Sequence, residues 1–247
     1  MKVLGIDIGG TGIKGAIVDT KKGELITERH RISTPHPATP EAIIETVIQL
    51  IDQLNWSGPI GCGFPAAVSH GVVKTASNID KSWIGMNAAK EIKKATNCPT
   101  YLVNDVDAAG TAEMKFGAGK SQKGTTLMVA AGTGIGTALF IDKKLVPNTE
   151  LGFVQLRGMP GEHYAANSVR KSEKLSIEQW AKRFNEYLQR LESLFWPDLF
   201  ILGGGISKHF ESYEQHFELG TKIVPAESRN HAGIIGAALA AKKAGLK

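Results

Sequence analysis

Residues 3–15, VLGIDIGGTGIKG, leave this chain few ways to fold. The run 3–8 is apolar and β-branched, broken only by Asp7 near its end. Gly9, Gly10 and Gly12 then strip side chains from the bend, and an apolar run resumes over 13–18 and stops at Asp19. Two such runs joined by a short glycine-containing loop predict a β-hairpin. The glycines permit positive φ and let backbone N–H groups face outward, which suits an anion such as phosphate. Asp7, at the mouth of the loop, is placed to hold a metal ion through water. A lone glycine cluster is usually only a tight turn, but this chain repeats the device. Gly132, Thr133 and Gly134 lie between the apolar runs 125–131 and 137–141, and Gly203, Gly204 and Gly205 follow the run 199–202. Three glycine turns, each at the end of a buried-looking strand, are hard to explain as unrelated bends.

The segments between these turns alternate. Thr39 caps a helix with Pro40 at its first position, and Ala42, Ile43, Val47, Leu50, Ile51 and Leu54 recur at helical spacing. A short buried strand follows at 60–64, then an irregular stretch at 65–83 and a helix at 87–96. A strand at 99–103 runs into Asn104-Asp105, and 107–116 has a helical pattern. A glycine and lysine loop spans 117–123. Beyond the second hairpin, 157–172 has no clear pattern, and 175–195 is a long amphipathic helix stopped by Pro197. A strand at 198–202, a helix start at 206–210, a short strand at 223–224 and an alanine-rich helix at 233–244 complete the chain. Each half opens with a hairpin and continues with alternating strands and helices, an α/β pattern. The expected organisation is two related lobes, 1–116 and 117–247, with a cleft between them and the last helix packing back on the first lobe.

The 247 residues are enough for one large domain or two small ones, and 42% hydrophobic with 21% charged residues is ordinary for a soluble globular protein. Cys62 and Cys98 form no CxxC, so neither a disulfide framework nor a cysteine zinc site is expected. No leader pattern and no membrane-length apolar run is present, which predicts a cytoplasmic protein without a membrane partner. The net charge of +5 and pI near 9.1 favour acidic partners or a polyphosphorylated substrate, although the lysines are scattered as solvated turns and helix faces. The histidines form no HExxH, and neither GxSxG nor GxxxxGK[ST] occurs.

Two places hold residues fit for chemistry. Asn104-Asp105 ends a strand, where ligands of open α/β sheets gather. A carboxylate there can act as general base on a hydroxyl while the neighbouring amide bonds a second hydroxyl. The competing role is a helix cap by Asp105 or Asp107. Glu150, flanked by Asn148 and Gly152, can accept hydrogen bonds from vicinal hydroxyls of a sugar, or it is a solvated loop acid.

Taken together, GIDIGGTGIKGAIVD, NDVDAAG, AAGTGIGTALF and LFILGGGIS, in this order, resemble the ROK family of repressors, open reading frames and kinases, within the sugar kinase and actin-like superfamily. Within it, GFPAAVSHGVVKTASNIDKSWIG, LVPNTELG and KIVPAESRNHAGIIGAALAA resemble bacterial polyphosphate glucokinases. The resemblance covers almost the whole chain and implies the two-lobed actin-like, ribonuclease H-like fold. It implies phosphoryl transfer from polyphosphate or ATP to the 6-hydroxyl of glucose, with mannose or an N-acetyl hexosamine as alternative acceptors. Asp105 matches the catalytic base, and Asn78, Asn104, Glu150 and Glu162 match sugar-binding positions. Gly9, Gly10, Thr11, Gly12 and Lys14 match the first phosphate loop. Gly132, Thr133 and Gly134 match the second, and Gly203, Gly204 and Gly205 the segment near the donor. Asp7 matches the acid associated with Mg²⁺; no zinc is expected, and a homodimer is. The family's usual His after ELG is Phe153 here, expected to stand as a hydrophobic wall, and its GFPG is GFPA, with Ala66. Lys14, Arg170, Lys171 and Lys174 are candidates for a polyphosphate path. Repressors of the family carry a helix-turn-helix ahead of the first strand. With that strand starting at Val3, DNA binding is not expected.

Overall fold

Side chains along β1 (Lys2–Gly9) alternate between two tasks. Leu4, Ile6 and Ile8 are fully buried in one hydrophobic cluster, while Gly5 and Asp7, one residue out of phase, face the other side. Following it are β2 (Gly12–Asp19), β3 (Glu24–Leu25), β4 (His30–Ile32), α1 (Pro40–Leu54), β5 (Ile60–Phe64) and the small hairpin β6 (Val68–Ser69) and β7 (Val72–Val73). Next come α2 (Ala88–Thr96), β8 (Thr100–Asn104) and α3 (Asp105–Phe116). The structure, a computed structural model, describes residues 1–77 and 79–246.

These strands form one sheet in the order β3-β2-β1-β5-β8, with β4 also on β2. The β1–β2 pair is antiparallel, whereas β1, β5 and β8 run parallel. The cluster on one face joins Leu4, Ile6 and Ile8 to Ile43, Val47 and Leu50 of α1 and to Ala88 and Ile92 of α2. Thr39 caps α1 as expected, its hydroxyl accepting from the Ala42 amide at 3.4 Å. The stretch 65–83 is more ordered than its sequence suggests. It holds the β6–β7 hairpin and a buried Trp83 whose indole N–H donates to the Ala38 carbonyl at 3.1 Å.

The rest of the chain comprises β9 (Thr125–Ala131), β10 (Ile135–Ile141), β11 (Lys144–Val146), β12 (Gln155–Leu156), β13 (Met159–Pro160), α4 (Gly161–Ala165), α5 (Asn167–Ser172), α6 (Ile177–Phe195), β14 (Leu199–Gly203), β15 (Lys222–Pro225) and α7 (Ala232–Lys243). A second sheet has the order β11-β10-β9-β14-β15. Its Leu127, Val129, Phe200 and Leu202 pack with Trp180, Phe184, Tyr187 and Leu188 of α6. A capping box starts α6, with Ser176 and Gln179 bonding reciprocally. The patternless stretch 157–172 resolves into the β12–β13 turn and two helices too short to show a period. A 3₁₀ segment, Gly205–Ser212, stands where an α-helix start was expected.

The chain divides into Met1–Ala112 with Asn230–Lys247, and Glu113–Arg229. The division therefore falls inside α3, upstream of the glycine loop at 117–123, and α7 belongs to the first unit. Steric room explains the second point. A Cβ on Gly5 would lie 2.0 Å from the Ile234 carbonyl oxygen, one on Gly61 1.9 Å from that of Ala237, and one on Gly236 1.6 Å from that of Ala108. Backbone thus packs on backbone where α7 meets β1, β5 and α3, with Val103, Ala108 and Ala237 filling the seam.

Candidate functional site

In the first unit the β1–β2 turn is held from outside. Thr34 Oγ1 donates to the Gly9 carbonyl at 2.5 Å, and Arg31 Nη2 donates to the Thr11 carbonyl at 2.7 Å. The Gly10 and Thr11 amides have no protein acceptor among the described residues. Carbonyls held back and amides left over make a surface for an anion. The expected use of positive φ is not what these glycines provide: Gly9, Gly10 and Gly12 all lie outside the left-handed region. Their role is room. A Cβ on Gly12 would lie 2.6 Å from Arg31 Nε, and one on Gly10 would meet nothing within 4 Å. The guanidinium thus occupies the space over Gly12, and the face over Gly10 is open.

Asp7 and Lys14 are cross-strand partners beside this turn, with Nζ 2.9 Å from Oδ2. Gly233, in the first turn of α7, comes so close that a Cβ there would lie 2.9 Å from Asp7 Cγ. The carboxylate therefore sits at a helix N-terminus, whose partial positive charge favours an anion. Among the described residues no three His, Cys, Asp or Glu side chains gather to hold a metal. A lone carboxylate fits magnesium, which keeps its waters and is held by one or two carboxylates plus substrate phosphates.

Since β1, β5 and β8 are parallel, their carboxyl ends share an edge. Asp7 pairs with Gly63 and Gly63 with Val103, so Asp7 and the end of β8 stand two strand spacings apart, about 10 Å. Neither Asp105 nor Asp107 supplies the cap of α3. Asn104 does, its Oδ1 accepting from the Val106 amide at 2.9 Å and the Asp107 amide at 3.0 Å. Its Nδ2 donates to the carbonyl of Ala66, a buried residue, at 3.2 Å. Asn104 thus spends its oxygen on the helix and offers a ligand its remaining amide proton. Asp105 becomes the first helical residue, with Oδ1 accepting from the Val106 amide at 2.9 Å.

In the second unit, parallel pairing of β9 with β14 brings two glycine turns together. Gly204 has φ +81°, and a Cβ there would lie 2.5 Å from the Ala131 carbonyl oxygen, so only glycine fits. Ser207 donates to the Gly204 carbonyl from its amide and its hydroxyl. In the 132–134 turn, Gly132 N–H bonds the Gly134 carbonyl at 2.9 Å. The Ser168 amide takes the Gly132 carbonyl at 3.0 Å, and the Ser168 hydroxyl takes that of Thr133 at 2.5 Å. The Thr133 and Gly134 amides have no acceptor among the described residues. This repeats the arrangement of the first turn with different partners. The Ile135 amide donates to Glu162 Oε2 at 3.1 Å, and a Cβ on Gly134 would lie 2.3 Å from that oxygen.

The Glu150 segment is bolted to β10 on both sides. Thr137 Oγ1 donates to the Thr149 carbonyl and accepts from the Leu151 amide, and Gly152 lies against the Ile135 carbonyl. Burial, and secondarily the charge of Glu162, raise the Glu150 carboxyl above its ordinary value. Ionised Glu150 therefore destabilises the fold, and stability falls as pH rises from the ordinary carboxylate value through the raised one. The carboxyl is only partly withdrawn from water, so the effect is small. Glu150→Gln is expected to stabilise the ligand-free protein at pH 7 by about a few tenths of a kcal/mol, with the gain vanishing near pH 4. Thermal melts across that range test it; equal stability of both proteins at pH 7 contradicts the assignment.

Asn78 lies outside the described residues. Phe153 is 48% exposed and is not part of the second unit's buried cluster, so its ring is left to solvent or to a ligand. Arg170, on α5, donates to Asn167 Oδ1 at 2.9 Å, while Lys171 and Lys174 are exposed. The sequence pointed to neither Arg31 nor Ser168. Neither residue carries a local signal: Arg31 reaches the turn on β4, paired with β2, and Ser168 on the short helix α5.

The profile of the ROK family matches residues 3–157. The polyphosphate glucokinase of Mycobacterium tuberculosis is 44% identical over 238 residues, 96% of this chain and 90% of that protein. The crystal structure of the inorganic polyphosphate/ATP-glucomannokinase from Arthrobacter sp. strain KM superposes with TM-score 0.95 at 44% identity, covering 98% of this chain and 99% of that one. A ROK family glucokinase from Streptomyces griseus, solved with glucose and AMPPNP, shares the fold with TM-score 0.84 at 21% identity over 98% and 100% of the two chains. No helix among the described residues is long and apolar enough to cross a membrane. With its two α/β units, its glycine turns and its matches over nearly the whole length, the chain belongs to the ROK family.

Proposed function

We infer that this protein is a sugar kinase that transfers a phosphoryl group from polyphosphate or ATP to the 6-hydroxyl of glucose. The observation that carries the mechanism is Asp105. Asn104 takes over the helix cap, and Asp105 stands on the same sheet edge as a glycine turn whose amides lack protein acceptors. The activity is the one named for the relatives at 44% identity.

Asp105 takes the proton of the 6-hydroxyl as that oxygen attacks the terminal phosphorus of the donor. The bond to the leaving phosphate breaks, and the proton later passes from the carboxyl to water. Asn104 donates its remaining amide proton to a second hydroxyl; Asn78, Glu150 and Glu162 are the further sugar-binding positions that the resemblance implies. The Gly10 and Thr11 amides with the Lys14 ammonium in the first unit, and the Thr133 and Gly134 amides in the second, supply positive charge suited to phosphoryl oxygens. Asp7 would hold a magnesium ion, which would supply further neutralisation of donor charge.

A coupled assay for glucose 6-phosphate with Mg²⁺, run with ATP and polyphosphate in parallel, tests this. Turnover with either donor is expected. Silence with both, across glucose, mannose and N-acetyl hexosamines, overturns it. Phe153 favours a second reading, a broader choice of hexose, because an exposed ring follows Glu150 at the position where the family usually has an imidazole. Mannose turnover approaching that of glucose supports that reading. A cytoplasmic homodimer completes the proposal; light scattering checks the dimer.

A further inference from the structure

Arg31 has no place in the mechanism above, yet the fold is arranged to seat it. Cross-strand register puts Asp7 opposite Lys14 and Lys14 opposite Arg31, so a carboxylate, an ammonium and a guanidinium form one row across β1, β2 and β4. Directly opposed residues share a sheet face. At the end of the row, Arg31 lies over Gly12, where a Cβ would be 2.6 Å from Nε and 2.9 Å from Cζ. One N–H of Nη2 is spent on the Thr11 carbonyl at 2.7 Å. The side chain is exposed, and it forms no ion pair among the described residues, unlike Arg157 and Arg183, which are matched to Glu186 and Glu173. A guanidinium carries five donors in a rigid fork that fits phosphate oxygens. The Nη2 bond sets the guanidinium at Thr11, whose amide, like that of neighbouring Gly10, lacks a protein acceptor.

We propose that Arg31 binds the phosphoryl donor at the first glycine turn, as the second cation after Lys14, and that its ligand is a linear polyphosphate anion. Two cations of different reach on one strand row, Lys14 paired with Asp7 and Arg31 with no acid, suit a ligand bearing charge on successive phosphates. A strut for Thr11 alone would need one N–H and no exposed, uncompensated charge. This proposal rests on the kinase reading for turnover but not for binding.

The test uses the full-length protein and inorganic tripolyphosphate. Calorimetric binding is measured for wild type, Arg31→Ala and Arg31→Lys, and steady-state kinetics follow with polyphosphate and ATP. The charge-assisted bonds removed in Arg31→Ala are expected to weaken tripolyphosphate binding about 10- to 100-fold, with the KM for polyphosphate rising likewise and the KM for glucose unchanged. Arg31→Lys is expected to recover part of the loss, since it restores charge without the fork. A loss of thermal stability in Arg31→Ala with tripolyphosphate affinity unchanged within about twofold overturns the proposal and leaves Arg31 a strut. An equal loss of tripolyphosphate affinity in both variants overturns the role of charge. Wild type that binds tripolyphosphate through Arg31 but phosphorylates no hexose refutes the kinase reading while sustaining this one. An active Arg31→Ala whose KM for polyphosphate and affinity for tripolyphosphate match wild type does the reverse.

Discussion

Asp105→Asn is expected to lower kcat by about 10²- to 10⁴-fold, the usual contribution of a positioned general base. The substitution keeps the shape of the side chain and an oxygen for the Val106 amide, which Asp105 Oδ1 accepts at 2.9 Å. It removes the ability to take the proton from the sugar hydroxyl. The helix cap is untouched, because Asn104 provides it. Glucose affinity is therefore expected to stay within a few-fold and the melting temperature to stay close to that of wild type, as for substitutions that create no cavity and bury no unpaired group. Single-turnover kinetics with saturating donor separate the chemical step from binding and product release. Full retention of the rate would move the base to another residue. A matched loss of rate and of thermal stability would recast Asp105 as a structural residue of the α3 terminus.

The second large effect is on the fold. Gly236→Ala is expected to destabilise the first unit by about 3 kcal/mol or more, the upper end of overpacking costs. The reason is the partner: the added methyl would lie 1.6 Å from the Ala108 carbonyl oxygen and 2.3 Å from its carbon, both backbone. A flexible side chain could swing aside; a helical carbonyl cannot without moving α3. Ala108 is one turn from Asp105, so the displacement reaches the base. A fall in melting temperature of roughly 6–12 °C is expected for a chain of this size, together with reduced activity of the folded fraction. Gly10→Ala, whose methyl meets nothing within 4 Å, is the control and leaves the melting temperature unchanged. Identical melting of Gly236→Ala and wild type would mean that α7 is not seated on α3 as described.

Local signals in the sequence were legible. Thr39 announces α1 because a cap is a bond between residues three apart, whereas α6, expected from 175, starts after its cap Ser176. The hairpins at 9–12 and 132–134 were visible because glycine punctuates apolar runs. The carboxyl-end position of Asn104-Asp105 followed from the strand before it. What failed were assignments that depend on distant backbone. The sequence could name Asp105 or Asp107 as the cap, but Asn104 takes it, held there by the Ala66 carbonyl 38 residues away. The glycines of the first turn were credited with positive φ, whereas Gly12 makes room for Arg31. The stretch 157–172 was unreadable because helices shorter than two turns show no period.

The sequence by itself determined the class of the fold, the three glycine turns at strand ends, the acids beside them and, through their order, the family. The family rests on the resemblance of those motifs, and the others on composition and on spacing within a few residues. Only the tertiary structure decided that Asn104 rather than an aspartate caps α3 and that Arg31 lies over the first turn. Each of these depends on two backbones approaching until a single Cβ would collide, or on register across neighbouring strands. Such distances are set by the packing of residues far apart in the chain, which a linear pattern does not carry.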